Sequence, residues 1–416
     1  MAKTSDIVKR TDCRVCKNSS LSPILSLGLS PLANSFLTEE QLKSDEYFFP
    51  LKLNFCKACG QVQLADIVHP DLLFKNYLYI SSTSPVFIKH FEQFAKEVYE
   101  RFSLNQDSLV IDIGSNDGIL LKPFQNLGAK VLGVDPAENV AEIARNNGVE
   151  TVVDYFNQKV SKKIKEKYGA AKIITGNNVF AHVNDSDELI KGVKKLLTED
   201  GVFIIEVPYL VDFIKKNLFD TIYHEHLSYF AGKPLIKLFE RLDMEVFDVQ
   251  RVPSHGGSIR VFTQKKAGPN KKTEQLKVCL EEEVDLKLHL IKTYKDFAGR
   301  IKDNKRKLIK ILTTLKKKDK KIVGYGAPAK GNTLLNYFKI NHKILDYIID
   351  DSPLKQGLYT PGTHIPVLSP EILKKDKPDY ILILAWNFAG PIMKNLSGFQ
   401  KKGGKFIIPV PAPKIV

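Results

Sequence analysis

From about residue 107 the chain alternates short β-branched runs with helix-compatible stretches, and this alternation limits the fold more than any other feature. The runs fall at 109–113, 130–134, 150–153, 172–175 and 202–207, with helical candidates such as 137–146 and 187–197 between them. Strand and helix in turn predict a parallel sheet covered on both faces, because each crossover lays a helix over the sheet. After a further helix at 234–242, two strand-like runs at 245–249 and 258–262 follow one another, joined by Pro253-Ser254-His255-Gly256-Gly257. The sheet is therefore expected to end in a hairpin.

The flanking segments differ in kind. At 416 residues the chain is long enough for two to four domains, and 43% hydrophobic against 26% charged residues excludes wholesale disorder. Near the amino terminus, Cys13-x-x-Cys16 and Cys56-x-x-Cys59 are separated by thirty-nine residues. Two intervening residues let both thiolates of a pair turn toward one ion, and four thiolates close a tetrahedral zinc site with no open position. The site reads as a structural Zn2+ centre in a segment rich in loops, Pro and Ser with little core of its own. Residues 265–320 carry apolar side chains at three- and four-residue steps, which predicts amphipathic helix. Beyond them, strand-like runs at 321–325, 344–349, 379–384 and 405–409 predict a second, smaller α/β unit.

The ends of the predicted strands carry the chemistry. The first ends in Asp112-Ile113-Gly114-Ser115-Asn116-Asp117-Gly118, and an acidic residue, Asp135, follows at the end of the second. Closely spaced glycines admit a ligand to the backbone, and the acidic residue suits a ribose diol. The loop is Gly-x-x-x-Gly, without the spacing that seats a pyrophosphate, so S-adenosylmethionine fits it better than NAD. Asp154-Tyr155-Phe156 ends the third strand, placed for an adenine, and Gly176-Asn177-Asn178 ends the fourth. After the fifth strand, Tyr223-His224-Glu225-His226 concentrates proton-transfer groups, with His182 after the fourth strand within reach of the same ligand. Tyr223 and His226 share a face at i and i+3, with Glu225 pointing elsewhere, and a neutral imidazole suits removal of a weakly acidic proton. His-Glu-His lacks the zinc-protease spacing. In the last unit, Gly326-Ala327-Pro328-Ala329-Lys330-Gly331-Asn332 is a glycine-rich turn with a lysine, a cradle for the diphosphate of NAD or of a nucleotide-linked substrate, between which the spacing does not decide. Asp351 follows at the end of the next strand.

Together, the two Cys-x-x-Cys pairs, Asp112-Ile-Gly-Ser-Asn-Asp-Gly118, Asn178-Val-Phe-Ala-His-Val183, Asp220-Thr-Ile-Tyr-His-Glu-His-Leu-Ser-Tyr229, Ser254-His-Gly-Gly-Ser-Ile-Arg260 and Tyr325-Gly-Ala-Pro-Ala-Lys-Gly331 resemble the sugar C-methyltransferases, over essentially the whole chain. Those enzymes use S-adenosylmethionine to methylate nucleotide-linked keto-deoxysugars. The resemblance implies a seven-stranded class I methyltransferase core of Rossmann-like type. An amino-terminal zinc-binding module and a smaller carboxyl-terminal α/β domain for the nucleotide-sugar would flank it. It makes His226 the general base, with Tyr223 and Glu225 beside it and Tyr77 contributed by the zinc module. The expected division is 1–84, 85–264, a helical connector at 265–320, and 321–416, with Arg260 and Lys330 near a diphosphate.

Three readings compete with this one: an O- or N-methyltransferase with the same donor, an NAD-dependent nucleotide-sugar oxidoreductase, and a nucleic-acid-binding zinc protein. The net charge of +15 does not favour the last. Residues 265–320 hold eighteen Lys and Arg against eight Asp and Glu, so two thirds of the excess sits on one solvated helical face. Neither a membrane nor a nucleic acid is an expected partner. The amino terminus lacks an apolar run, and the paired cysteines suit a reducing cytoplasm.

Overall fold

The computed structural model describes residues 7–74, 82 and 85–416. The alternating runs form one seven-stranded sheet. Its spatial order is Met244–Val252, Ser258–Lys265, Leu197–Pro208, Ala171–Asn177, Leu109–Ile113, Lys130–Val134 and Thr151–Val152. Neighbours run parallel from Leu197–Pro208 to Thr151–Val152, while Ser258–Lys265 is antiparallel to both of its neighbours. The predicted hairpin is therefore present, and its second strand inserts between the first and the rest of the sheet. Leu109–Ile113 is buried at every position, as a strand covered on both faces must be. Chain order reverses between Leu109–Ile113 and Ala171–Asn177, which opens a crevice at their carboxyl ends where such sheets bind ligands.

The cysteine-bearing segment is better built than its loop-rich sequence suggests. Leu21–Ser30, Phe49–Cys56 and Val62–Leu64 form an antiparallel sheet whose fourth strand, Ser228–Tyr229, comes from just past the histidine cluster. Phe49, Leu51, Leu53 and Phe55 alternate inward and are each at most 3% exposed. Each contributes about 1.5–3 kcal/mol of burial. The expectation of little core is thus corrected: this strand has a clear period of two, and the sheet it belongs to is completed by a strand far away in sequence, Ser228–Tyr229 against Val62–Leu64.

The amphipathic stretch becomes two helices, Glu274–Asp285 and Ile291–Lys316. Tyr294, Phe297, Ile301, Leu308, Leu312 and Leu315 of the second are buried. The last hundred residues form a six-stranded sheet, ordered Val367–Leu368, Ile348–Ile349, Ile322–Tyr325, Tyr380–Ile383, Lys405–Ile408 and Lys414–Ile415. Only Ile348–Ile349 of the predicted 344–349 run is strand, and the two edge strands were not foreseen because each is two residues long. No helix among the described residues is long and apolar enough to cross a membrane.

Candidate active site

A cavity of about 350 Å³ opens at the reversal point of the large sheet, within the range of small-molecule sites. Gly114, Asn116, Asp135, Asp154, Tyr155, Phe156, Asn177, Asn178 and His182 line it, all of them picked out from strand ends. Gly114 is required there: its φ is +71°, and a Cβ would lie 2.7 Å from Val179. Asp135 accepts hydrogen bonds from the backbone N–H groups of Asn116 and Ala137, both at 2.9 Å. Each oxygen keeps a lone pair for a ligand. Burial pushes this carboxyl above the usual range.

Asp112, Asp117 and Gly118, also expected at the ligand, do not line the cavity. Asp112 accepts from the Thr175 hydroxyl at 2.6 Å inside the sheet, and burial pushes its carboxyl up to about 7. Asp117 accepts from the Ser82 N–H, and Gly118 packs against Val149. The roof of the cavity includes Pro70, Leu73 and Phe74 from the cysteine module. Tyr77 lies outside the described residues.

The fit of a polar ligand shows in groups left unpaired. Both amide atoms of Asn177, Oδ1 of Asn178 and Nε2 of His182 are buried without a hydrogen-bond partner among the described residues. Buried polar atoms of this kind are normally satisfied, and these four belong to residues of the cavity wall. If Asp135 holds a ribose diol, Asp135→Ala removes two charge-assisted hydrogen bonds, about 3 kcal/mol together. The KM for the methyl donor is then expected to rise roughly a hundredfold with kcat little changed, as measured by steady-state kinetics; an unchanged KM would place the ribose elsewhere.

Beside the cavity, four rings form a row. Phe74 stacks on His182 at 5.7 Å between centroids, His182 on His226 at 5.0 Å, and His226 lies 4.0 Å from Tyr223. The Nδ1–H of His226 donates to the Thr221 carbonyl at 2.8 Å, leaving Nε2 to accept from the Tyr223 hydroxyl at 2.8 Å. Burial lowers His226 to about 4, so its imidazole is neutral near pH 7. His224 points the other way, edge-on to Phe49 of the cysteine module at 5.8 Å. Glu225 accepts from the Asn34 amide at 2.6 Å. Burial pushes Glu225 up to about 7, and the Asn34 bond opposes that.

The carboxyl-terminal unit reaches the segment that leads into this row through Lys330 and Trp386. Its ammonium hydrogen-bonds Asn387 and lies 4.6 Å over the Trp386 ring, while the Trp386 indole donates to Asp220. Burial lowers Lys330 to about 8, with Asp220 opposing the shift. His255, in the 253–257 turn, feels both Lys330 and His226, and burial takes it down to about 3. His255, Asp220 and Trp386 were not among the expected site residues. A histidine before two glycines was the available signal for the first, whereas only the fold brings in the other two.

The remaining expected contacts each have neighbours within the protein. Gly326, at φ +82°, packs its backbone against Ala385, and the Ala327 N–H is held by Asp350 at 2.6 Å. Pro328 precedes the helix Ala329–Phe338. Asn332 donates to the Ala33 carbonyl at 2.7 Å, and Asp351 accepts from the Tyr325 hydroxyl at 3.0 Å. Arg260 requires a correction. It is 3% exposed, paired with Glu206 at 3.1 Å and stacked 4.0 Å over Phe94. Glu206 also meets His90 at 2.9 Å and the Ser254 hydroxyl at 2.7 Å. Burial raises this carboxyl, but those partners outweigh it and leave it below the usual range. Arg260 thus steadies the turn that carries His255 and is not free for a diphosphate.

The four thiols suit zinc. Sγ atoms of Cys13, Cys16, Cys56 and Cys59 all lie within 4.8 Å of one another, with Cys13–Cys59 at 3.5 Å and Cys16–Cys56 at 3.6 Å. A tetrahedral ion at 2.3 Å from each sulfur requires separations of about 3.8 Å.

The sheet order, the cavity and its strand-end ligands define a class I methyltransferase that uses S-adenosylmethionine. Family models agree along the chain: a zinc binding domain at 13–74, a methyltransferase domain at 87–249 and a C-methyltransferase C-terminal domain at 253–411. The chain is 38% identical over 412 residues to the C-methyltransferase NovU of Streptomyces niveus, covering 99% of this chain and 98% of that protein. The protein belongs to this family of S-adenosylmethionine-dependent C-methyltransferases, with a zinc-bearing amino-terminal module. A ubiquinone biosynthesis O-methyltransferase of Bartonella bacilliformis is 32% identical over 98 residues, which is 23% of this chain and 39% of that one. Among solved structures, the PH0226 protein of Pyrococcus horikoshii is 14% identical with a TM-score of 0.37, covering 45% of this chain and 95% of that one. The oxidoreductase and nucleic-acid readings end here, and the methyl goes to carbon.

Proposed function

We propose that the enzyme methylates C3, the carbon beside the ketone, of a nucleotide-linked 4-keto-6-deoxyhexose in the cytoplasm. The observation that carries this reading is the His226–Tyr223 pair, stacked on the wall of the donor cavity with its imidazole neutral. A sugar carbon becomes nucleophilic when a neighbouring ketone lets its proton be removed to give an enolate, and the protein must supply the base and donors for the developing oxyanion. His226 Nε2 takes the proton, directly or through the Tyr223 oxygen that already donates to it. The bound donor supplies an electrophilic methyl group. His182 and His255 flank the base, and the Lys330 ammonium is the cation offered to the nucleotide diphosphate. The zinc module (1–84) roofs the site, residues 85–264 hold the donor, the connector (265–320) braces the two, and 321–416 bind the nucleotide portion.

Exchange in heavy water tests the enolate. With the keto-sugar present, the enzyme is expected to wash deuterium into the position beside the ketone at a rate that His226→Asn abolishes. No exchange and no donor-dependent mass gain would rule out this substrate.

A further inference from the structure

Glu225 is 3% exposed, yet no charged side chain among the described residues offsets its burial; its one acting partner is the Asn34 amide, at 2.6 Å and 191 positions away. We infer that Asn34 of the zinc module is a positioning residue for the reaction, fixing the orientation and charge of Glu225 next to the base. The inference rests on Glu225 belonging to the reacting site, as the resemblance to the sugar C-methyltransferases implies.

The segment carrying Asn34 is held for the task from both sides. Leu32, Ala33 and Phe36 are buried. The Ala33 carbonyl accepts from Asn332 in the helix that carries Lys330. Leu37 and Tyr359 exchange backbone hydrogen bonds at 2.9 and 2.8 Å. Asn34 is thereby anchored to the carboxyl-terminal unit on one side and to the cysteine module on the other, with its amide donating to Glu225. An N–H donated to one carboxylate oxygen favours the charged form and leaves the second oxygen for other partners. Among the described residues no titratable group acts on the Glu225 carboxyl; the titratable residues next to it in its own turn are Tyr223, His224 and His226. The last two have imidazoles that burial keeps neutral near pH 7, so neither replaces the Asn34 bond.

Asn34→Leu removes the donor at nearly constant volume, and Asn34→Ala does so without crowding. Both are expected to keep one zinc per chain and a KM for the methyl donor within about twofold. Their kcat near neutral pH should fall roughly tenfold, with the acid limb of the kcat profile moved up by about one pH unit or more, because losing a donor to a buried carboxylate raises its pKa. In a Glu225→Gln background that limb is absent, and adding Asn34→Leu should change kcat less than twofold. An unshifted limb in either Asn34 variant, or a loss of rate that only tracks loss of zinc or of folded protein, overturns the role of Asn34. A Glu225→Gln enzyme with the native rate and profile instead overturns the placement of Glu225 in the site.

Discussion

His226→Asn is expected to lower kcat by about 10²–10⁴-fold, the usual contribution of a positioned general base, while the KM for the methyl donor stays near the native value. The reason lies in two hydrogen bonds of 2.8 Å. The Thr221 carbonyl fixes the Nδ1–H tautomer, so the lone pair of Nε2 must face Tyr223 and the site. Asparagine keeps a polar group in the turn but has no basic lone pair. Donor binding survives because Asp135, Asn177 and Asn178 sit on strand ends that the substitution does not touch. His226 protonates only near pH 4, so the native rate should not lose its base on acidification to pH 6; a fall in that range reports Glu225, whose carboxyl titrates at about 7. Full activity in His226→Asn would transfer the base role to another group of the cluster.

Cys56→Ser should have a comparably large effect through structure. Structural zinc sites contribute apparent binding energies of about 10–16 kcal/mol that are also folding energy, more than a module of this size can lose. The consequences reach the candidate site, because Val62–Leu64 pairs with Ser228–Tyr229 immediately after the 223–226 turn, and Phe74 roofs the donor cavity. Metal analysis should find the zinc-to-chain ratio falling from one toward zero, limited proteolysis should cut within 13–74, and activity should disappear. Retention of zinc and of rate would show that the thiol cluster does not hold the module together.

Much of the large sheet was legible because a buried parallel strand must be apolar throughout and a ligand edge must carry turn and polar residues. Gly114, Asp135, Asn177 and Asn178 follow from that logic alone. The cysteine module was misjudged because its sheet borrows Ser228–Tyr229 from a distant part of the chain. Arg260 was misjudged because an arginine on a strand looks like a cation for a phosphate until its cross-strand neighbour is known to be Glu206. The placement of Asn34 against Glu225 and of Trp386 against Asp220 is likewise a matter of long-range packing, to which residue spacing is blind.

The central claim is methylation of the carbon beside a sugar ketone. Incubation of the enzyme with donor labelled at its methyl carbon and a nucleotide-linked 4-keto-6-deoxyhexose, followed by carbon NMR of the product, tests it most directly. The account predicts that the labelled methyl shows one-bond coupling to a ring carbon next to the carbonyl, and that this ring carbon has lost its hydrogen. A labelled methoxy or N-methyl signal, or no label in the sugar at all, would contradict it.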